Sequence, residues 1–148
     1  NSKGDTLKIE NYSKGILDGI FLEKNEWGDT LCYGIYIDGA KNGQWIENDG
    51  KITFKGSYSE SYKDGNWIGY YDNSILYFSG KFVQGNKEGK HVYYYENGLI
   101  REVQYFSNGL PVGSWTKYNE EGLVKVVITY KNGREYLING YKIDKIGK

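Results

Sequence analysis

The sequence predicts an all-β fold, an elongated single-layer array of tandem antiparallel β-hairpins. Glycines recur 24, 22, 24 and 24 residues apart; these marker glycines are Gly19, Gly43, Gly65, Gly89 and Gly113. A period in this range marks a small supersecondary unit, which buries its apolar face only against its neighbours. Strand-forming residues lie between glycine-containing turns, and no segment has the apolar spacing of a helix.

Aromatic residues occupy fixed positions relative to each marker glycine. A large ring follows two residues later in every unit: Phe21, Trp45, Trp67, His91 and Trp115. A tyrosine follows five residues later in three units: Tyr70, Tyr94 and Tyr118. The second strand carries one more ring in each unit: Tyr36, Tyr58, Phe82, Phe106 and Tyr130. Agreement at several independent positions indicates a repeat that covers nearly the whole chain.

Each unit contains two turns that link strand-like runs. Asn97-Gly98 and Glu121-Gly122 have the residues of a tight hairpin turn. A two-residue deletion before Gly50 shortens the corresponding turn of the second unit, and Ser74 replaces glycine in the third. We interpret the marker glycines as turn positions too, and we expect the turn glycines to adopt positive φ.

The predicted organisation is a single repeat domain, 1–148. Its boundaries are a partial repeat at 5–18, full repeats at 19–42, 43–64, 65–88, 89–112 and 113–136, and a partial repeat at 137–148.

Alternation predicts which residues face the core. In the second strand of the fifth unit, the core-facing set should be Val124, Val126, Ile128 and Tyr130. In the first strand, the Trp and Tyr positions have opposite parity. They therefore lie on opposite faces unless a bulge intervenes, and the sequence leaves both arrangements open.

Composition excludes several classes of function. The formal net charge is zero with both signs interspersed, so no nucleic-acid surface is expected, and a role on anionic membranes is disfavoured. No run of about 18 apolar residues is available to cross a bilayer. The single cysteine, Cys32, stands in an apolar position and is interpreted as a small buried hydrophobe. The chain begins at Asn1, which leaves the location open between the cytoplasm and the cell surface after signal-peptide removal.

No constellation of residues points to catalysis, and the chain is predicted not to be an enzyme. His91 is the only histidine, and it stands where other units have Trp or Phe, so we interpret it as a stacking substitute. One His and one Cys in separate units supply no soft-ligand metal site, and no cofactor is expected. The carboxylates lie mostly near turns and have no spacing that singles out a pair.

Clustered tyrosines are the candidate binding surface. Tyr is favoured in recognition because its rigid ring carries a polar tip. The candidates are Tyr70, Tyr71, His91, Tyr93, Tyr94, Tyr95 and Tyr118. The alternative is a ladder of rings that only stabilises the sheet.

The unit Gly-x-Trp-x-x-Tyr-Tyr-x-Asn-Gly, followed by an apolar run and Gly-x-Tyr/Phe-x-x-Gly, resembles the MORN repeat. It is most similar to the bacterial variant in proteins of the YwqK-family antitoxin type. The best matches span 65–85 and 89–109, whereas the first unit departs from the pattern by having Phe21. The resemblance implies an array of β-hairpins without catalytic activity that binds a partner protein, which the antitoxin label would make a toxin.

The expected function is therefore protein–protein interaction, as an antitoxin or immunity-like module. The alternative is a cell-surface or wall-associated repeat protein that binds carbohydrate or lipid. Exposed strand edges also permit a homo-oligomer. Function is expected where units deviate from the pattern, at Gly50, Ser61, Ser74 and His91.

Overall fold

The computed structural model describes residues 6–142 and places them in one open antiparallel sheet of fourteen strands. The strands are Leu7–Ser13 (β1), Ile16–Lys24 (β2), Thr30–Ile37 (β3), Ala40–Asn48 (β4), Ile52–Ser59 (β5), Tyr62–Tyr71 (β6), Leu76–Val83 (β7), Asn86–Tyr94 (β8), Ile100–Ser107 (β9), Leu110–Pro111 (β10), Gly113–Tyr118 (β11), Val124–Lys131 (β12), Arg134–Ile138 (β13) and Tyr141–Lys142 (β14). Each strand pairs with the next in sequence, except that the short β10 pairs only with β9, which also pairs with β11. The predicted all-β fold of sequential hairpins is confirmed. Residue 5 and residues 143–148 of the two predicted partial repeats lie outside the described residues.

Two kinds of turn alternate along the sheet. At one edge, which we call the tight-turn edge, two central residues both have positive φ, as in Gln84 (48°) and Gly85 (84°). This is the type I′ geometry, whose twist matches that of the flanking strands. At the opposite edge, the wide-turn edge, the turns from β2–β3 to β11–β12 are longer and have a single positive-φ residue, such as Gly98 at 87°. The last turn at this edge, Asn139-Gly140, is of the tight kind. Asn97-Gly98 is thus a hairpin turn as predicted, but only its glycine is left-handed.

The marker glycines lie within strands, and the prediction that they occupy turns is wrong. Gly43 and Gly65 have φ values of 68° and 88° inside β4 and β6. Around Gly43 the pairing with β3 shifts register, because Tyr33 pairs with Ile46 while Ile35 pairs with Asn42. A bulge with a left-handed residue favours glycine just as a turn does, so the residue type alone did not distinguish the two.

Rings that lie on glycines of the preceding strand form the core. Trp45 and Trp67 are 1% exposed and His91 is fully buried. A Cβ at Gly56 would be 2.1 Å from the indole of Trp67, and one at Gly80 would be 2.5 Å from Nδ1 of His91. These glycines are therefore required for close approach of a ring to the backbone.

Aromatic contacts continue along this face, which we call the ring face. Ring centroids of successive residues are about one strand spacing apart, at 5.0 Å for Tyr58–Trp67, 5.3 Å for Phe82–His91 and 5.1 Å for His91–Phe106. Lysine ammonium groups cover the row, with Nζ of Lys63 4.7 Å from the ring centroid of Trp67. The lysine stems help to exclude water from a sheet that has no second layer.

His91 takes the place of a tryptophan in both stacking and hydrogen bonding. Nε1 of Trp67 donates to the carbonyl of Ser57 at 3.0 Å, and Nε2 of His91 makes the equivalent bond to Lys81 at 2.7 Å. Because a carbonyl only accepts, Nε2 carries the proton and Nδ1 is left as an acceptor. Nδ1 and Oε1 of Gln104, its cross-strand neighbour, are buried without a partner among the described residues.

The tyrosine five residues after the marker lies on the opposite face, the outer face. The pairing of β6 is regular with β7 from Gly65 to Gly69 and with β5 from Ile68 to Tyr71, so Trp67 and Tyr70 point to opposite sides. Trp67 contacts Tyr58, whereas the ring of Tyr70 lies 6.0 Å from Nζ of Lys55. The pairing of β6 with β7 shifts register between Gly69 and Tyr70, but the extra residue, Tyr77, belongs to β7, so the alternation along β6 is kept. Of the two arrangements that the sequence left open, the structure has the one with these two rings on opposite faces.

Two apolar positions are less buried than predicted. Val126, Ile128 and Tyr130 are half-buried on the ring face, but Val124 is 59% exposed. The reason is a bulge: the pairing of β12 with β11 shifts register between Lys117 and Tyr118, so Val126 lies opposite Lys117 but Val124 lies opposite Tyr118, on the other face. In addition, β13 pairs with β12 only from Ile128 onward, so Val124 has no neighbour on that side. Cys32 is half-buried against the core cluster, and burial raises the pKa of its thiol.

Candidate binding surfaces

The predicted tyrosine surface is divided between the two faces. His91 is fully buried and presents no surface to solvent. Tyr93 is half-buried on the ring face, where its ring centroid is 5.1 Å from that of Phe78. Burial raises the pKa of the Tyr93 hydroxyl. The candidate residues therefore do not form one continuous surface.

Two of the predicted tyrosines link successive hairpins. The hydroxyl of Tyr71 donates to the carbonyl of Tyr94 at 2.6 Å, and the hydroxyl of Tyr95 donates to the carbonyl of Tyr118 at the same distance. Each bond joins positions 23 residues apart and bridges neighbouring wide turns. Their polar tips are thus engaged within the sheet.

Tyr70, Tyr94 and Tyr118 share the outer face. They stand in the same position of three successive units, two strands apart, so about 10 Å separates neighbours. All three are half-buried. Of the predicted set, these are the residues that the structure brings onto one side.

An exposed apolar surface lies on the outer face of the first four strands. Ile20 pairs with Ile35, and Tyr33 pairs with both Leu22 and Ile46, so their side chains are neighbours. The surface comprises Ile9, Ile20, Leu22, Tyr33, Ile35, Ile37 and Ile46, which we call the first-unit patch. Several of them are well exposed, with Ile20 at 46%, Ile35 at 44% and Ile37 at 52%.

The other units have mostly polar residues in the two central positions of this patch. The position of Ile20 is occupied elsewhere by Gln44, Asn66, Lys90 and Ser114. The position of Ile35 is occupied elsewhere by Ser57, Lys81, Tyr105 and Thr129. The sequence already contained this difference between the units. The repeat was recognised from its most uniform positions, however, and the apolar residues of the patch stand in its variable positions.

A groove opens at the wide-turn edge next to this patch. It has a volume of about 980 Å³, and its lining includes Trp27, Gly50, Tyr70, Asp72 and Ser74. The shortened turn at Gly50 lies between the longer turns that precede and follow it, so the deletion leaves a gap in the row of turns. We call this gap the edge groove. Trp27, which falls outside the repeat pattern and was not among the predicted site residues, is 78% exposed in it.

The shortened turn is fixed by its own aspartate. Oδ1 of Asp49 accepts hydrogen bonds from the backbone N–H of Ile52 at 2.8 Å and of Lys51 at 2.9 Å. These bonds stabilise the carboxylate and hold the pKa of Asp49 below its ordinary value. The turn that separates the two sides of the edge groove is therefore closed by hydrogen bonds of its own.

The structure assembles no metal-ligand cluster from residues 6–142: no three His, Cys, Asp or Glu side chains are grouped to hold an ion. Over the same range, no helix has the length and apolar character needed to span a membrane.

Comparisons with known proteins assign no family to this chain. No family model matches the chain, and no curated protein matches it. One similar solved structure is a mutant of S. aureus TarM in complex with Fondaparinux, alpha-GlcNAc-glycerol and UDP, with 16% sequence identity and a TM-score of 0.36. The match covers 93% of this chain but only 22% of that protein. The protein is an all-β, repeat-like sheet of hairpins.

Proposed function

We propose that this chain is a non-catalytic scaffold of MORN-type repeats that binds another protein through the first-unit patch. The observation that carries the proposal is the exposure of Ile20 and Ile35 in positions that other units fill mostly with polar residues. Large exposed apolar patches are typical of interaction sites rather than of free surface. A repeat that needs apolar residues there only for its own stability would have them in every unit.

The patch has the composition of an interface core. It contains aliphatic side chains with a central tyrosine, and a charged residue, Lys55, pairs with Ile46 at its border. Interface cores are depleted in charge and surrounded by polar residues. Burial of such side chains contributes about 25 cal/mol per Å² of apolar surface removed from water, which favours association.

The repeat pattern supplies a matched test. Ile20→Gln and Ile35→Ser introduce the residues that the second unit uses in the same positions, Gln44 and Ser57. We expect wild-type protein immobilised on beads to retain a stoichiometric protein from a lysate of the source organism, and the double variant to lose it. The control is Asn66→Ser with Lys90→Ser, which alters the same position in later units. Equal retention by wild type and the patch variant would contradict the proposal.

The finer proposal is that the partner is a toxin and this chain its antitoxin or immunity module, on the resemblance to YwqK-type proteins. The captured protein is expressed alone and together with either form of the chain. Growth arrest that is relieved by wild type and not by the patch variant supports this role. A partner whose expression leaves growth unchanged argues for a scaffold without antitoxin activity.

A further inference from the structure

The proposed protein-binding function does not involve the edge groove, which has a distinct origin in the repeat pattern. Every neighbouring wide turn is longer than the one at Gly50, and the two-residue deletion there is a departure from an otherwise regular chain. The result is a groove between the turn that carries Trp27 and the turn that carries Asp72 and Ser74. Its volume of about 980 Å³ is at the upper end of the range for small-molecule sites.

Trp27 is held on a structured turn although its ring is exposed. Oδ1 of Asn25 accepts hydrogen bonds from the backbone N–H of Trp27 at 3.0 Å and of Asp29 at 2.9 Å. Nδ2 of Asn25 donates to Oδ2 of Asp29 at 3.1 Å, and the backbone of these two residues is also paired. The backbone that carries the indole is thus fixed before a ligand binds, which lowers the entropic cost of binding.

The opposite side of the groove supplies a second ring and a polar group. Tyr70 lines it on the outer face, with Nζ of Lys55 6.0 Å from its ring centroid. Asp72 also lines this side, and Thr30 lines the side of Trp27; neither side chain makes a hydrogen bond within residues 6–142. Rings that offer a flat face, combined with free hydrogen-bonding groups, suit a ligand that is apolar on one side and polar around its rim.

We propose that the edge groove binds a neutral oligosaccharide of β-glucose-configured units. A pyranose with equatorial substituents presents a face of C–H groups, which complements the negative face of an indole or phenol ring. Its hydroxyls point outward to carboxylate, amide and hydroxyl partners. Two carboxylates, Asp29 and Asp72, line the groove together with only one ammonium group, that of Lys55. This excess of negative charge disfavours an anionic polymer.

The length of the ligand follows from the sheet. The turns that carry Trp27 and Ser74 belong to hairpins β2–β3 and β6–β7, which are four strand steps apart. At about 4.8 Å per step, the groove extends about 19 Å, which is about four sugar units of a 1,4-linked chain. A tetrasaccharide is therefore the shortest ligand that reaches from one side to the other.

Tryptophan fluorescence gives a direct assay because the other indoles are shielded. Trp45 and Trp67 are buried and Trp115 is half-buried, so a ligand in the groove changes chiefly the emission of Trp27. Wild-type protein is titrated with cellotetraose, tetra-N-acetylchitotetraose and maltotetraose, and binding is checked by calorimetry. We expect saturable binding of one or both β-linked sugars, with affinity at least tenfold lower for maltotetraose.

Three variants complete the test. Trp27→Ala should weaken binding at least tenfold, and Trp27→Phe should recover part of the loss. Insertion of two residues after Asp49 restores the length of the neighbouring turns and should abolish binding while Trp27 stays in place. The first-unit variant with Ile20→Gln and Ile35→Ser should bind the sugar normally, which separates this site from the protein-binding surface.

Each contrary result overturns the inference. Absence of binding for all three sugars at about 10 mM, or an affinity of Trp27→Ala within twofold of wild type, removes the site. Unchanged binding in the insertion variant would show that the shortened turn at Gly50 does not create the sugar site. Melting midpoints of all variants close to that of wild type exclude unfolding as the cause of any loss.

Discussion

The indole of Trp67 lies directly on the backbone of Gly56, in the space that a side chain there would occupy. A Cβ built at Gly56 would be 2.1 Å from Cδ2 of Trp67, whose ring is buried, with 1% exposed. The same relationship joins Trp45 with Gly34 and His91 with Gly80. The glycine and the ring of the following strand are thus one packing unit.

Gly56→Ala is therefore expected to destabilise the protein by about 1–3 kcal/mol, the range for an overpacked core. The φ of Gly56 is not positive, so the loss would report the steric contact rather than backbone strain. Urea denaturation measures it, with Asn66→Ala on the exposed side of β6 as the control that stays within about 0.5 kcal/mol. An unchanged midpoint for Gly56→Ala would show that the ring can move aside.

Stability should fall as the pH drops below about 6.5, because His91 is buried without charge. Burial lowers the pKa of His91, and the positive charge of Lys87 acts in the same direction, while its hydrogen bond to the Lys81 carbonyl opposes them. A base whose pKa is lowered on folding binds its proton more readily in the unfolded chain. The neutral ring therefore makes its full contribution to stability above the pKa of the unfolded chain, about 6.5. This contribution is lost as the pH falls from there toward the lower pKa of the folded protein.

Two measurements check this dependence. As the single histidine, His91 gives ring proton resonances that need no assignment, and their titration should have a midpoint below 6.5. Urea denaturation between pH 8 and pH 5 should give a free energy of unfolding that falls with pH for wild type. The free energy of unfolding of His91→Trp should lack this fall. A native midpoint at or above 6.5 would refute the assignment of a neutral buried ring.

The tyrosine hydroxyls that bridge wide turns should each contribute modestly to stability. Tyr71→Phe removes the donor to the carbonyl of Tyr94, and a loss of about 0.5–1.5 kcal/mol is expected. Tyr95→Phe should give a similar loss. Both bonds involve the β8–β9 turn, but the two hydroxyls lie two strands apart, about 10 Å, so their effects should add. Tyr70→Phe, on the outer face, serves as the control in the same urea experiment. A double variant no less stable than the single ones would mean that the two bonds are coupled.

Ser74→Gly is expected to stabilise the fold, by about 1 kcal/mol or less. Ser74 has a φ of 66°, whereas the equivalent position in other wide turns is glycine, such as Gly98 at 87°. A left-handed conformation is strained for a residue with a Cβ, although the glycine variant also gains entropy when unfolded. Thermal denaturation monitored by circular dichroism decides the sign. A lower midpoint would indicate that the serine hydroxyl makes a compensating contact.

The architecture was accessible from the sequence because periodicity and turn chemistry are local signals. The spacing of the rings from Phe21 to Trp115 predicted successive hairpins, and their order along the sheet followed from their order in the chain. The role of Gly43 and its equivalents was not accessible, because bulges and turns make the same demand on the backbone. The parity of Trp67 and Tyr70 was visible, but only the registers with β5 and β7 decided between the alternatives.

The candidate surfaces were harder to predict for a different reason. Burial of Tyr71, Tyr93 and Tyr95 depends on which carbonyls and rings the neighbouring hairpin brings to them, and a repeat pattern does not contain that information. The first-unit patch and Trp27 lie where one unit differs from the rest. A comparison of units therefore locates the scaffold by what they share and the candidate sites by what they do not.

The substantial contacts among the described residues join strands that are neighbours in the sheet, so cooperativity decays with distance along it. The first-unit patch lies on β1 to β4, at an end of this sheet, where hairpins open most readily. A ligand on the patch would close that end selectively. Amide hydrogen exchange would then slow most at β1, less in each following strand, and not at all by β12. The number of strands that show slower exchange would therefore measure how far the bound ligand suppresses fraying.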